Sequence, residues 1–204
     1  TIDTTNSGGT PAGANISFST TINNAQTLSL VGGTAGAITV SGIVGGTTAL
    51  TSFTANANTI STVGVRTTGA QTYTGATSST FNGTYNISGG GSAFGVTGAA
   101  LLGGATTVTT TNGNISFSST INNGQTLSLT AGAAAVTVTG ATGGTTALTS
   151  FTASGNTIAV NNVRTTSTQS YTGAASTTFN GTSYLTAGGT FGVTGPALLG
   201  AGAT

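Results

Sequence analysis

The chain has 204 residues, with two Lys/Arg side chains, one Asp/Glu side chain, and no His, Cys, Met or Trp. General acid–base catalysis relies on a group that titrates near the working pH, usually His, Glu or Asp, and Asp3 is the only such side chain. The composition therefore excludes paired-carboxylate, His-dependent and Cys-dependent catalysis, together with zinc sites. We expect no enzymatic activity and no cofactor.

Charge and hydropathy exclude other classes of protein. Arg66 and Arg164 are the only cationic side chains, and nucleic-acid binding requires a basic stripe, so no nucleic-acid partner is expected. No apolar run reaches the ~18 residues of a transmembrane segment, and residues 1–20 lack the features of a signal peptide. Disorder is not favoured either, because 36% of the residues are hydrophobic and they recur regularly.

Taken in chain order, the apolar residues form short alternating pairs. These are Ile16/Phe18, Leu28/Leu30, Ile38/Val40, Ile60 with Val63/Val65, and Phe94/Val96. Alternation with a period of two predicts strands with one buried face. Asn23-Asn24 and Asn122-Asn123 predict turns, because Asn tolerates left-handed conformations. No window has a helical period longer than two turns, so an all-β fold is expected.

The same elements occur twice. The segment Asn15–Leu30 recurs as Asn114–Leu129, and Val65-Arg-Thr-Thr recurs from Val163, with offsets of 99 and 98 residues. The repeats predict one unit over residues 1–106 and a second over 107–204, with no linker between them. Because two whole repeats fill the chain, a longer array is expected.

Two architectures fit a repeat of about 100 residues. One is a pair of β-sandwich (Ig-like) domains. The other is a continuous parallel β-solenoid of about ten coils of about 20 residues, which would form a rod roughly 45–50 Å long at the ~4.8 Å spacing between stacked strands. The solenoid is favoured because no linker separates the copies, the strands are short and large aromatic residues are few.

One family is similar to these repeats. The run Thr-x-x-x-Gln-x-Tyr-x-Gly, at Thr67–Gly75 and Thr165–Gly173, resembles the repeats of filamentous-haemagglutinin-type large repetitive bacterial surface proteins. The resemblance covers nearly the whole chain. It implies a right-handed parallel β-helix, export to the cell surface or extracellular matrix, and a role as adhesin, stalk or matrix. The near absence of charge is a departure from many such proteins.

Six residues are candidates for surface binding, in three equivalent pairs. Arg66 and Arg164 could form a row of cations that grips an acidic polysaccharide, or could cap carbonyls at a turn. Tyr73, Tyr171, Gln71 and Gln169 could stack on sugar rings. The alternative is that each Tyr packs at the edge of the core with its hydroxyl bonded, while each Gln satisfies a neighbouring backbone group.

Three functions remain open from the sequence. The first is a non-catalytic structural or adhesive segment of a giant extracellular bacterial surface protein, forming a rigid rod or stalk. The second is a protomer that assembles with itself into an extracellular filament, sheath or surface layer, since near-zero net charge favours association. The third is a module that binds carbohydrate or a receptor, with host or matrix glycans as partners.

Overall fold

A computed structural model describes residues 1–201, which form seventeen strands and no helix. The strands are β1 Ile2–Asp3, β2 Ile16–Phe18, β3 Thr27–Val40, β4 Ser52–Thr67, β5 Gln71–Ile87, β6 Phe94–Thr97, β7 Ala100–Thr110, β8 Ile115–Phe117, β9 Ile121–Asn122, β10 Thr126–Thr130, β11 Ala135–Val138, β12 Ser150–Val160, β13 Val163–Thr165, β14 Gln169–Phe179, β15 Tyr184–Thr186, β16 Phe191–Thr194 and β17 Ala197–Leu199. Strand β7 runs across residue 106, the boundary between the two repeats.

The strands stack as a β-solenoid of about nine turns. Every pairing between these strands is parallel; for example, β4 pairs with β3 on one side and with β5 on the other. The predicted solenoid is therefore confirmed, and the alternative of two β-sandwich domains is wrong, because such sandwiches are built from antiparallel sheets. Each turn of the chain lies directly on the previous one, so neighbouring strands are parallel without a separate crossover segment to join them.

Each turn contributes to three columns of stacked residues, which we name face 1, face 2 and face 3. Face 1 contains Leu28, Phe53, Gln71, Phe94, Ile115, Val136, Ile158 and Thr177, each paired with the next. Face 2 contains Ile16, Ile38, Ile60, Ser79, Ala100, Ile121, Thr142 and Val163. Face 3 contains Ile22, Val44, Val65, Tyr85, Val108, Leu129, Ala153, Tyr171 and Val193.

The core lies between the three faces and is filled mainly by alternate residues of the longer strands, such as β4 and β12. Leu30, Ile38 and Val40 are buried as their alternation predicts, and burial of each such side chain contributes about 1.5–3 kcal/mol. Val63 is an exception, since Thr62 takes the inward position and Val63 is partly exposed. The register of β4 on β5 shifts at this point, because Val65 lies two residues after Val63 whereas their partners Asn82 and Tyr85 are three residues apart; Gly64, between the two valines, has φ 69°.

The two copies are not related by a whole number of turns. From Gln71, face 1 continues through Phe94, Ile115 and Val136 to Ile158, which lies four turns later. The equivalent of Gln71 is Gln169. After Ile158 on face 1, the chain passes Val163 on face 2 and reaches Gln169 on face 3, where it pairs with Phe151. Gln169 therefore lies two faces beyond Ile158. The 98-residue offset therefore spans four and two-thirds turns.

Because the offset is not a whole number of turns, equivalent residues of the two copies lie on different faces. Arg66 follows Val65 on face 3, whereas Arg164 follows Val163 on face 2. The predicted single row of cations along the rod is therefore wrong for these two residues. A fourth copy with the same offset would restore the starting face, since three offsets of four and two-thirds turns make fourteen turns.

The turns between strands use left-handed residues where the sequence predicts them. Asn24 has φ 109° and Asn123 has φ 97°, which confirms the predicted turns at both Asn-Asn pairs. A larger loop, residues 45–49, leaves the wall between Val44 and Leu50, which both pair with β4. The equivalent loop, residues 143–147, lies between Thr142 and Leu148.

Replacement of Gly45 by alanine is expected to destabilise the fold by more than about 2 kcal/mol. Gly45 has φ 71°, a conformation that costs an L-residue about 1–2 kcal/mol. An added Cβ would also overlap the carbonyl oxygen of Arg66, which accepts a hydrogen bond from Leu50. Urea unfolding measures the effect. Gly192→Ala is the matched control, because no atom lies within 4 Å of a Cβ there and its φ is not positive; equal effects of the two substitutions would contradict the expectation.

Candidate functional site

The four predicted sugar-stacking residues lie inside the rod. Tyr73, Tyr171, Gln71 and Gln169 each have no exposed surface. A sugar ring cannot reach them, so their assignment to a surface site is wrong and the packing alternative describes them. The sequence carried a signal for this: Gln71 and Tyr73 are two residues apart and continue the inward positions of Phe53 and Ala55, with which they pair.

Gln71 joins consecutive turns from within the core. Its Nε2 donates to the carbonyl of Val65 at 3.0 Å and to that of Asn86 at 3.1 Å, which lie on face 3 of two adjacent turns. Its Oε1 accepts a hydrogen bond from the Tyr73 hydroxyl at 3.1 Å. The amide is thus satisfied at both ends, as a buried polar group requires.

Gln169 repeats this arrangement in the second copy. Its Nε2 donates to the carbonyls of Val163 and Leu185 at 3.1 and 2.8 Å, and its Oε1 accepts from the Tyr171 hydroxyl at 2.8 Å. The same network therefore forms on face 1 in one copy and on face 3 in the other. It is a structural clamp between turns, and its polar atoms are not available to a ligand.

Burial also makes the tyrosines poor acids. Desolvation raises the pKa of Tyr73 well above its ordinary value, with a smaller contribution from nearby Tyr85. Desolvation likewise raises the pKa of Tyr85 to about 12, although hydrogen bonds from Thr62 and from the backbone oppose it. These hydroxyls stay protonated at neutral pH and act as structural donors and acceptors.

The aromatic residues form two equivalent clusters, and the first of them also takes in Phe117 from the second copy. In the first, Tyr73, Phe81, Tyr85, Phe94 and Phe117 contact one another with ring centroids 5.0–6.3 Å apart. In the second, Tyr171, Phe179, Tyr184 and Phe191 make the equivalent contacts at 4.9–6.3 Å. The edge-to-face pairs add about 0.5–1.5 kcal/mol each beyond their buried area. The small number of aromatic residues is concentrated where it stabilises the core.

The two arginines are the predicted site residues that do lie on the surface. Both side chains are exposed. The Arg66 Nη1 donates a hydrogen bond to the carbonyl of Gly46 at 3.0 Å. Arg66 therefore caps a carbonyl at a turn, which is one of the two roles that the sequence leaves open for it. Arg66 thereby holds the loop 45–49 against the turn that follows.

A shallow groove lies beside each arginine. The first has a volume of about 280 Å³ and is lined by Arg66, Ile43, Val63, Gly64, Gly83 and Thr84. The second, of about 170 Å³, is lined by Arg164, Ala141, Thr142, Gly144, Asn162, Val163, Ser183 and Leu185. Each groove combines one cation with a mostly apolar floor. Its repetition at equivalent positions makes this Arg groove the candidate surface site of the chain.

The loop beside each Arg groove is fixed by an asparagine for which the sequence predicts only a turn. The Asn23 Oδ1 accepts hydrogen bonds from the amides of Thr47 and Thr48 at 2.9 and 3.3 Å. The Asn122 Oδ1 accepts from Thr145 and Thr146 at 2.9 and 3.4 Å. The recurrence of Asn-Asn with a Gly-Gly-Thr-Thr loop one turn later was the available signal for this contact.

Replacement of Arg66 by alanine is expected to change the free energy of unfolding by no more than about 1.5 kcal/mol, because it removes one exposed hydrogen bond. Hydrogen exchange at the amides of Thr47 and Thr48 should change little, since Asn23 still binds them. Asn23→Ala, in contrast, should accelerate exchange at both amides. Faster exchange in Arg66→Ala than in Asn23→Ala would contradict this account of the loop.

Catalytic and metal chemistry have few groups to act through. The Asp3 carboxylate accepts hydrogen bonds from the Thr5 hydroxyl and amide and from the Ser7 amide; the Thr5 hydroxyl contributes most to lowering its pKa. Within residues 1–201, no group of three or more His, Cys, Asp or Glu side chains could hold a metal ion. Over the same residues, no helix is long and apolar enough to cross a membrane.

No family model, curated protein or solved structure matches this chain.

Proposed function

We propose that this chain is a non-catalytic rod or stalk segment of a large extracellular bacterial surface protein. The observation that carries the proposal is the unbroken stack of parallel turns across both repeats, in which β7 belongs to the first copy and continues into the second. A solenoid without a flexible joint keeps a fixed length and a fixed direction. The resemblance to filamentous-haemagglutinin-type repeats supports the extracellular location.

The clamps inside the core support a mechanical role. Gln71 and Gln169 each bond carbonyls of two consecutive turns, so separating the turns breaks side-chain bonds as well as the backbone ladder. Because each turn contacts only its neighbours, adding repeats extends such a structure without changing its design. A rod of this kind positions another domain at a fixed distance from a surface.

A display experiment tests this function. One, two or three 98-residue repeats are inserted between an outer-surface anchor and a globular reporter, and the height of the reporter above the cell is measured by electron tomography. Each repeat should add about 22 Å, which is four and two-thirds turns at the ~4.8 Å strand spacing. A flexible Gly/Ser linker of equal residue number is the control. Heights that scatter as widely as the control would contradict the proposal.

Glycan binding remains a second candidate, and the Arg groove is the observation that favours it. Arg66 and Arg164 are exposed cations beside apolar floors, a combination suited to a carboxylated or sulfated sugar. The test compares retention of the chain and of an Arg66→Ala/Arg164→Ala variant on an acidic polysaccharide resin. If the Arg groove binds the polysaccharide, the variant should lose its retention on the resin. Equal retention of the chain and the variant would contradict glycan binding by this groove.

A further inference from the structure

The outward side of face 3 carries two columns of polar, uncharged side chains over five consecutive turns. These turns are contributed by β5, β7, β10, β12 and β14, which pair with one another in that order. The first column is Thr84, Thr107, Ser128, Thr152 and Ser170. The second column, two residues further along each strand, is Asn86, Thr109, Thr130, Ser154 and Thr172. We name these two columns the hydroxyl face.

The hydroxyl face is regular in both directions. The register shifts of these strands, between Phe81 and Gly83 and between Gly155 and Thr157, lie outside it. Neighbouring turns are therefore ~4.8 Å apart, and the two columns are ~6.6 Å apart along each strand, which is two residues at the ~3.3 Å rise of a parallel strand. The residue between the columns is buried in every turn, as for Leu129, so the core supports the face from below.

The other two faces are interrupted. On face 1, Gly95 follows Thr72 in the outward column. On face 2, Leu101 follows Thr80. In residues 1–201, neither of these faces keeps two polar columns side by side over five turns, so the hydroxyl face is a property of one side of the solenoid.

The side chains of the hydroxyl face are free to bind molecules outside the protein. Thr107 and Thr152 are exposed, and Thr130 is half-buried. An inward hydroxyl on the same strands is used inside the protein: the Thr106 Oγ1 donates to the Phe81 carbonyl at 3.2 Å. Among the described residues, no side chain of the hydroxyl face forms a hydrogen bond with another protein group. Their donors and acceptors therefore point to solvent.

The chemistry of the hydroxyl face fits few macromolecular partners. The face has no charge of its own, and the neighbouring cation, Arg66, pairs with Asn86 at its edge, so a charged polymer has no row of opposite charges to bind. The rings of Tyr85 and Tyr171 are buried between the columns. The face therefore offers no aromatic platform for a sugar ring and no apolar anchor of the kind found at the centre of protein interfaces. A neutral, regular surface of this kind fits a neutral lattice of hydrogen-bonding groups.

Water forms such a lattice when it freezes. Two hydrogen bonds of ~2.75 Å that meet at one water molecule at the tetrahedral angle place the two outer oxygen atoms ~4.5 Å apart. This is the separation of second neighbours in ice, and it is close to the ~4.8 Å between turns of the solenoid. One water molecule can therefore bridge two hydroxyls of adjacent turns, such as those of the paired residues Thr107 and Ser128, with little distortion.

Threonine suits a surface that holds water at fixed positions. Branching at Cβ restricts its χ1 angle, so the hydroxyl and the methyl group keep defined positions above the strand. The side chains consequently lose little conformational entropy when a lattice binds them, which favours binding by a preorganised surface. The bonds of five turns then act together.

We propose that the hydroxyl face binds ice, with water molecules that bridge adjacent turns forming the first layer of the crystal. The ligand is crystalline water, and the binding groups are the two columns of hydroxyls. This activity goes beyond the proposed rod function and depends on one side of the solenoid alone. On the proposed extracellular rod, it would attach the cell to ice.

Partition into growing ice tests the proposal. A dilute solution of the 204-residue chain is frozen slowly around a cold finger, and the protein concentration in the ice is divided by that in the remaining liquid. The expected ratio exceeds one. A globular reference protein without affinity for ice is excluded from the crystal and gives a ratio below one.

Lysine substitutions on two faces locate the binding. Thr152→Lys should lower the ratio at least about tenfold, because the strongly hydrated ammonium group keeps ice away from the neighbouring hydroxyls. Thr72→Lys is the matched control and should leave the ratio unchanged, since Thr72 is also an exposed threonine between two buried residues but lies on face 1. Circular dichroism checks that both variants fold. Thr130→Lys, a second substitution on the hydroxyl face, replaces Thr152→Lys if that variant unfolds.

Four results would overturn the proposal. The first two are exclusion of the unsubstituted chain from ice and equal ratios for Thr152→Lys and Thr72→Lys. The third is retention on microcrystalline cellulose or chitin that Thr152→Lys abolishes, without enrichment in ice, which would assign the face to a neutral polysaccharide. The fourth is formation of side-by-side dimers that Thr152→Lys dissociates, again without enrichment in ice, which would assign the face to a second copy of the chain.

The failure of this proposal and the failure of the rod function are distinguishable. A chain that is rigid and rod-shaped in solution but excluded from ice would overturn ice binding and leave the rod function standing. A chain that is enriched in ice but flexible in solution would overturn the rod function and leave ice binding standing.

Discussion

Replacement of Tyr73 by alanine is expected to lower the free energy of unfolding by about 3–5 kcal/mol, the range for loss of a large buried aromatic side chain. Tyr73 has no exposed surface, and its ring contacts Phe53, Phe81, Tyr85 and Phe94. The substitution would leave a cavity at the centre of the first aromatic cluster. Urea unfolding followed by circular dichroism measures the change.

Two further substitutions separate the ring from its hydroxyl. Tyr73→Phe keeps the ring but leaves the Gln71 Oε1 without its donor, which should cost about 1–3 kcal/mol. Thr72→Ala, at the exposed neighbouring position, should change stability by less than about 0.5 kcal/mol. A Tyr73→Ala effect as small as that of Thr72→Ala would show that this ring is not in the core.

Raising the pH above the ordinary tyrosine pKa of about 10 is expected to unfold the chain cooperatively. Burial raises the pKa of Tyr73, Tyr85 and Tyr171, so the folded state keeps protons that the unfolded state has released. The free energy of unfolding should therefore be unaffected by these groups below pH ~10 and fall by about 1.4 kcal/mol per pH unit for each buried tyrosine above it. For Tyr85 this decline ends at the folded pKa of about 12.

The measurement follows tyrosinate absorbance and circular dichroism together as the pH rises. Both signals should change in one transition, because the rings ionise when the core opens. Tyr85→Phe is the control: comparison with the unsubstituted chain should show a shallower decline of stability above pH ~10 by the contribution of one tyrosine. Smooth ionisation near pH ~10 with unchanged circular dichroism would contradict the burial of these tyrosines.

The sequence predicted the fold through its period-two alternation and its internal repeat. Pairs such as Ile38/Val40 and the Asn turns at Asn24 and Asn123 lie as expected. Val63 does not, because the bulge at Gly64 changes which residue faces inward. A bulge depends on how two adjacent turns fit together, and the local sequence of one strand does not specify that.

The phase of the repeat could not be predicted from its length. On face 1 the turns range from 18 residues, between Phe53 and Gln71, to 25 residues, between Leu28 and Phe53, because loops such as 45–49 leave the wall. Only the strand register shows that 98 residues make four and two-thirds turns. Because the sequence does not show how many turns a repeat makes, it predicts Arg66 and Arg164 in one row, whereas they lie on different faces.

The candidate site was only partly predictable. The exposure of Arg66 and Arg164 follows from their charge, but the groove beside Arg66 also needs Ile43 from the turn before it and Gly83 and Thr84 from the turn after it. The sequence leaves open that the Tyr73 hydroxyl is hydrogen-bonded and that Gln71 satisfies a backbone group; the structure shows both contacts, and it places the two side chains fully inside the core, where the sequence predicts only the edge of the core for Tyr73. A polar residue at an inward position satisfies backbone groups of other turns, and those partners are distant in sequence.

Small-angle X-ray scattering from chains of one, two and three 98-residue repeats tests the central claim most directly, which is that the repeats form one continuous solenoid. The account predicts a constant cross-section and a length that grows linearly by about 22 Å per repeat, from the ~4.8 Å spacing of stacked strands. A cross-section that varies, or a size that grows as expected for globular units on flexible joints, would contradict it.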